Sequence, residues 1–144
     1  MDNYEKLGGV LVELFNETLG IARRYVEKSI YKDISVNDMH ILNAIGIEGK
    51  KSMSVIAKQI GVTVGTLKIA INSLVKKGYV SRSRSERDRR VVLVFLSDKG
   101  RAACEYYQRF IRSMVQAMRD GLDDGQCEVL VQAMTNLREY FLSV

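Results

Sequence analysis

A chain of 144 residues that is 47% apolar can bury a real core, since a domain of about 150 residues hides roughly 70% of its unfolded surface. That composition excludes a disordered tail, and no apolar run approaches the roughly 20 residues that span a bilayer, so no membrane partner is expected. The formal charge of +5 conceals an asymmetry: residues 50–101 hold 13 Lys/Arg against three acids, a net of +10, while the remainder carries −5.

The opening MDNYEKLGG has neither the basic start nor the apolar stretch of a signal peptide, so a cytoplasmic location is expected. From Tyr4 to Ser29, Leu7, Val10, Leu11, Leu14, Phe15, Leu19, Ala22, Tyr25 and Val26 recur at helical spacing. They predict a long amphipathic helix, weakened by Gly8, Gly9 and Gly20. Asp33 or Ser35 caps a second helix, about Val36–Ile47, with Met39, Leu42 and Ile45 inward and Glu48-Gly49 at its end.

Two short helices follow. Ser52 or Ser54 caps SMSVIAKQI, which stops at Gly61. Thr63 then caps VGTLKIAINSLVKK, which stops at Gly78 after two lysines, a favourable C-terminus. Leu67, Ala70, Ile71 and Leu74 share one face of this helix. Gly65, Thr66, Lys68, Ile69, Asn72 and Ser73 share the other. A helix, a tight turn and a second helix with a small, polar outer face is the pattern of a helix-turn-helix.

The period then changes from 3.6 to 2. Residues 79–84 alternate and Val91–Leu96 is rich in β-formers, with a charged turn at Ser85–Arg90 between them, so a β-hairpin is predicted. Ser97-Asp98-Lys99 caps a long helix to about Arg119, broken by Asp120-Gly121. Asp123 or Asp124 starts the last helix, with Cys127, Leu130, Val131, Met134, Leu137 and Phe141 on one side.

This arrangement points to double-stranded DNA. A helix fits the major groove and reads base edges; Thr63, Val64, Thr66, Lys68, Ile69, Asn72 and Lys76 are the candidates. Asn suits adenine, Lys suits guanine or phosphate, and Thr hydrogen-bonds or touches a thymine methyl. The hairpin offers Arg82, Arg84, Arg87, Asp88, Arg89 and Arg90, whose guanidinium groups suit the narrow minor groove. Lys58, Lys76, Lys77, Arg82 and Arg84 can hold phosphates. A purely solvated basic face and a protein-interaction module are the alternatives, and the second leaves the +10 segment without a role.

An enzyme is not expected. There is one histidine, His40, no phosphate-cradling glycine loop, and no carboxylate pair or Ser/Cys partner at catalytic spacing. A histidine-rich metal site is likewise excluded, and no cofactor is called for. His40 reads as a packing or hydrogen-bonding residue of the second helix. Cys104 and Cys127 are too few for a disulfide scaffold and sit on apolar faces, so they read as small hydrophobes rather than redox sensors.

The string Asp88-Arg89-Arg90, five residues, then Leu96-Ser97-Asp98-Lys99-Gly100 resembles the wing signature of the MarR family, D-x-R-x5-L-[ST]-x-x-G. Leu74-Val75-Lys76-Lys77-Gly78-Tyr79-Val80 resembles that family's join between recognition helix and wing. The resemblance implies a mainly α fold with a small β-hairpin: a winged helix-turn-helix over 34–98 and dimerisation helices over 1–30 and 99–144, in one domain. It implies a homodimer on a pseudo-palindromic operator, Arg89 or Arg90 in the minor groove, and Asp88 paired with a nearby arginine to fix the wing tip.

Tyr31–Val36, Val62–Thr66 and Arg84–Val92 are further similar to the branch of the family that represses fatty-acid synthesis in Gram-positive bacteria, as are Asp120-Gly121-Leu122 and Thr135-Asn136-Leu137. That similarity implies long-chain acyl-acyl carrier protein as corepressor. Phe15, Leu19, Ala22, Tyr107, Phe110, Met114 and Met118 are then candidates to line an acyl-chain site, with ordinary core packing as their alternative. A small-molecule-responsive repressor of efflux or stress genes is the other function the resemblance allows.

Overall fold

The computed structural model describes residues 1–144. The elements run α1 (Asn3–Glu27), α2 (Val36–Ile45), β1 (Lys51–Ser52), α3 (Met53–Ile60), α4 (Val64–Lys76), β2 (Val80–Arg84), β3 (Val92–Leu96), α5 (Asp98–Arg119) and α6 (Asp124–Ser143). They form two compact units, Met1–Gln108 and Arg109–Val144, divided within α5. No single helix is long and apolar enough to cross a membrane.

Short polar side chains start the helices. Asp2, Ser35 and Asp123 each accept the N3 backbone amide while the N3 side chain (Glu5, Asp38, Gln126) returns the bond. Such capping boxes satisfy amides that the helix itself leaves unpaired. Ser35 is therefore the cap of α2, and Ser52 that of α3. The second helix ends at Ile45, earlier than its pattern suggests, because Gly46 turns the backbone to φ +84°. Lys51 Nζ donates to the Ala44 carbonyl at 2.7 Å and closes that end.

The first unit's core is built where the helical stripes of α2, α3 and α4 meet β3. Met39, Leu42, Ile45, Ile56, Leu67, Ile71, Leu74, Val94 and Leu96 are at most 2% exposed, and each such aliphatic side chain contributes about 1.5–3 kcal/mol on burial. The sheet has a third strand beyond the expected hairpin. Its order is β1-β3-β2, all antiparallel, with Lys51 opposite Val94 and Arg82 opposite that same Val94. Two residues, both polar, carry no period that would reveal β1 in the sequence.

The join between wing and α5 is close-packed. Ser97 donates its amide to the Tyr79 carbonyl (3.0 Å) and its hydroxyl to the Gly78 carbonyl (2.6 Å), and accepts the Gly100 amide (3.1 Å). Gly100 lies so near that a Cβ there would stand 2.0 Å from the Tyr79 carbonyl oxygen.

The first helix packs on its own chain only near its C-terminal end. Of its apolar stripe only Ala22 and Val26 are buried, whereas Leu7, Val10, Leu14, Phe15 and Leu19 are all more than half exposed. Its last turns are held by Tyr25, which stacks on Tyr106 at 4.4 Å while the Tyr106 hydroxyl donates to the Tyr25 carbonyl. In the second unit Gly121, at φ +78°, separates the end of α5 from α6, and no residue of α6 is buried.

Candidate nucleic-acid interface

The chain turns by 108° between α3 and α4, within the range of helix-turn-helix units. Gly61, at φ +74°, makes the turn possible, and Thr63 starts α4. The Thr63 hydroxyl accepts the Thr66 amide (3.1 Å) and donates to Thr66 Oγ1 (2.9 Å). Thr63 is thereby occupied as a cap, and Thr66 keeps its own proton to give. Leu67, Ile71 and Leu74 anchor the inner face, while Val64 and Ile69 stand 46% and 74% exposed on the outer one. Lys68, also exposed, adds the outer face's charge.

The wing reaches back to this helix. Arg82 on β2 donates from Nη1 to Asn72 Oδ1 on α4 at 2.5 Å. A guanidinium only donates, so this bond fixes which end of the Asn72 amide is the oxygen. Arg82 also lines a cleft of about 370 Å³ with Ser52, Ser54, Val64, Lys68 and Arg90. Lys68 and Arg82 place two cations without a carboxylate partner on this concave surface, bordered by Arg90, and suit a phosphate backbone.

At the wing tip Asp88 accepts the Arg90 backbone amide (3.1 Å), its Nε (3.1 Å) and its Nη2 (3.2 Å). These bonds from Arg90 hold the Asp88 carboxyl below its ordinary range. Arg84 Nη1 braces the turn from within by donating to the Arg89 carbonyl at 2.9 Å. Arg90 is therefore the arginine paired by Asp88, and the Arg87 and Arg89 side chains form no salt bridge.

Several expected phosphate-binding groups have internal partners. Arg82 holds Asn72, Arg84 holds the turn, and Lys77 Nζ donates to the Asp33 carbonyl at 2.6 Å. Lys58, Lys68 and Lys76 are exposed. Sequence reasoning missed the brace beside Lys77: the Tyr79 hydroxyl donates to Asp33 Oδ1 at 2.5 Å, and Lys99 lies 4.3 Å over the Tyr79 ring. Burial, then the Asp33 carboxylate, raises the Tyr79 pKa. No signal links residues 46 positions apart.

The acyl-chain candidates take different environments. In the first unit Ala22 and Tyr107 are buried, and Phe15 and Leu19 are each 58% exposed. Leu19 forms one wall of a cleft of about 390 Å³ with Arg23, Val26, Lys32, Ile34 and Asn37. Phe110, in the second unit, is buried, while Met114 and Met118 are 40% and 42% exposed. His40 Nε2 shares a 2.8 Å hydrogen bond with the Tyr107 hydroxyl. Cys104 is fully buried with its thiol directed at the Leu42 carbonyl (3.8 Å), whereas Cys127 is half-buried.

A family model described as "MarR family" matches residues 32–91. The uncharacterised HTH-type transcriptional regulator YwhA of Bacillus subtilis is 25% identical over 139 residues, 96% of this chain and all of that one. A crystal structure of Streptococcus pneumoniae FabT in complex with DNA superposes with a TM-score of 0.86 at 35% identity, covering 98% of this chain and 99% of that one. A mutant MarR from E. coli, complexed with operator DNA, shares the fold at a TM-score of 0.68 and 23% identity, over 95% and 99% of the two chains. Of these, YwhA is named a transcriptional regulator, and the FabT and E. coli MarR structures hold DNA. With its turn of 108°, its braced wing and near full-length similarity to FabT, this chain belongs to the MarR family of winged-helix DNA-binding transcriptional regulators.

Proposed function

We propose that the protein is a homodimeric repressor of fatty-acid-synthesis genes, with long-chain acyl-acyl carrier protein as its corepressor. The observation that carries this reading is the 35% identity to FabT across nearly the whole of both chains, together with the segments Tyr31–Val36, Val62–Thr66 and Arg84–Val92 that resemble that branch. The homodimer is supported by apolar surface. Tyr4, Leu7 and Leu14 of α1 are 86%, 72% and 54% exposed, and Val131 and Met134 of α6 are 64% and 52% exposed. Apolar patches of this extent mark an interaction face. A two-fold dimer would offer two α4 helices to a pseudo-palindrome, one turn or ~34 Å apart. The buried Phe110 and the half-exposed Met114 and Met118 are adaptable apolar groups suited to an acyl chain.

The test is a footprint on DNA upstream of the fatty-acid-synthesis genes, with and without long-chain acyl-acyl carrier protein. Protection that strengthens with the acylated carrier is expected. Protection confined to a neighbouring efflux or stress operon overturns the fatty-acid role. For the dimer, light scattering on Leu14→Glu protein should report a monomer.

A further inference from the structure

The outer face of α4 carries hydroxyl, amide and ammonium groups but no carboxylate. Residues 64–76 contain no Asp or Glu, and neither does β2 beside them. Thr66 takes the Thr63 proton on its oxygen and so has its own O–H to give. Lys68 has only donors. The one side-chain carbonyl, Asn72 Oδ1, holds the Arg82 guanidinium at 2.5 Å. An asparagine pairs with adenine by donating to N7 while accepting from the N6 amino group. Here that amino group would have to approach beside a guanidinium, positive edge to positive edge.

We propose that α4 reads hydrogen-bond acceptors on the strand it faces, guanine N7 and O6 or thymine O4, and that Arg82 imposes this preference by holding Asn72. Val64 and Ile69, exposed on the same face, supply apolar contact for a thymine methyl. Arg82 is thus a specificity-positioning residue that acts through Asn72, beyond any phosphate it meets. The inference rests on α4 entering the major groove and is independent of which genes are controlled.

The test is in vitro selection from randomised duplex DNA at fixed salt, using the full chain as wild type, Asn72→Ala and Arg82→Met, with circular dichroism to verify folding. Wild type should enrich G or T at one half-site position, and Asn72→Ala should flatten that position. Arg82→Met keeps an unbranched apolar stem, removes the guanidinium donors, and should raise adenine there about tenfold relative to wild type. Asn72→Ala reports on the same position while keeping every wing side chain, and it frees the Arg82 guanidinium for DNA, which covers an Arg82→Met protein too weak to select. Enrichment of A or C by wild type at the position that Asn72→Ala flattens overturns the inference. So does an unchanged preference in Arg82→Met, or an Asn72→Ala protein that flattens nothing. A wild type that enriches no sequence removes base reading by α4 altogether, a different failure from the others.

Discussion

Asp88 and Arg90 are joined by three hydrogen bonds within a span of three residues: both carboxylate oxygens accept from the guanidinium, and one also accepts the Arg90 amide. The pair is exposed, so its worth lies in geometry more than in stability. It fixes the path of the turn and leaves Arg87 and Arg89 beside it without salt-bridge partners, with Arg89 lying between the paired residues in sequence. Arg89→Ala should therefore weaken DNA binding while leaving the fold intact. If Arg89 neutralises one phosphate-lined site per subunit, the slope of log affinity against log salt should fall by about 1 per subunit. Gel-shift titrations at several salt concentrations measure this, and an unchanged slope and affinity would remove Arg89 from the interface.

Gly100 is a packing requirement rather than a flexible point. Its place in the first turn of α5 brings it against the Tyr79 carbonyl, and a Cβ would meet that oxygen at 2.0 Å. Backbone cannot rotate away as a side chain can. Gly100→Ala should therefore cost about 1–3 kcal/mol, or somewhat more, by forcing the wing and α5 apart. Urea unfolding should show a lower midpoint with an unaltered slope.

This contact also explains what was legible beforehand. The spacing from Asp88 through Leu96 to Gly100 is readable because each position answers a local need: a turn-fixing carboxylate, a buried Leu96 at 2% exposure, and a glycine that no side chain can replace. Caps and helix periods are local in the same way, so α3, α4 and the hairpin follow from the sequence. The bonds Arg82–Asn72 and Tyr79–Asp33 join different elements, and single residue types carry no record of such pairings. The α1 stripe is legible in another sense. Periodicity identifies a face that seeks burial, but it does not say that the same chain provides the cover.

The two cysteines should differ sharply in reactivity. Cys104 is fully buried, and burial, with Glu105 nearby, pushes its thiol up to about 11. The thiolate is the reactive form, so little of it exists near neutral pH. In Cys127→Ser protein, Ellman's reagent should react with the remaining thiol only after urea is added. Rapid labelling of the native variant would show that Cys104 is accessible and could act in redox sensing.

His40 gives the fold an acid-side sensitivity in a definite window. Burial lowers its pKa from the ordinary 6.5, because the charged imidazolium is poorly solvated there. The unfolded chain thus binds a proton at a higher pH than the folded one, and stability rises with pH through that interval. The contribution is complete above about pH 6.5 and is lost progressively as pH falls from there to the lowered folded value. Asp88 has a depressed pKa and loses its contribution only below its ordinary 3.8, outside the pH range of the unfolding measurement. His40→Gln can keep a hydrogen bond to Tyr107 but has no titrating group. Urea midpoints measured from pH 7.5 to 5 should fall for wild type and fall less for His40→Gln. Parallel curves for the two proteins would show that the His40–Tyr107 contact at 2.8 Å does not couple protonation to folding.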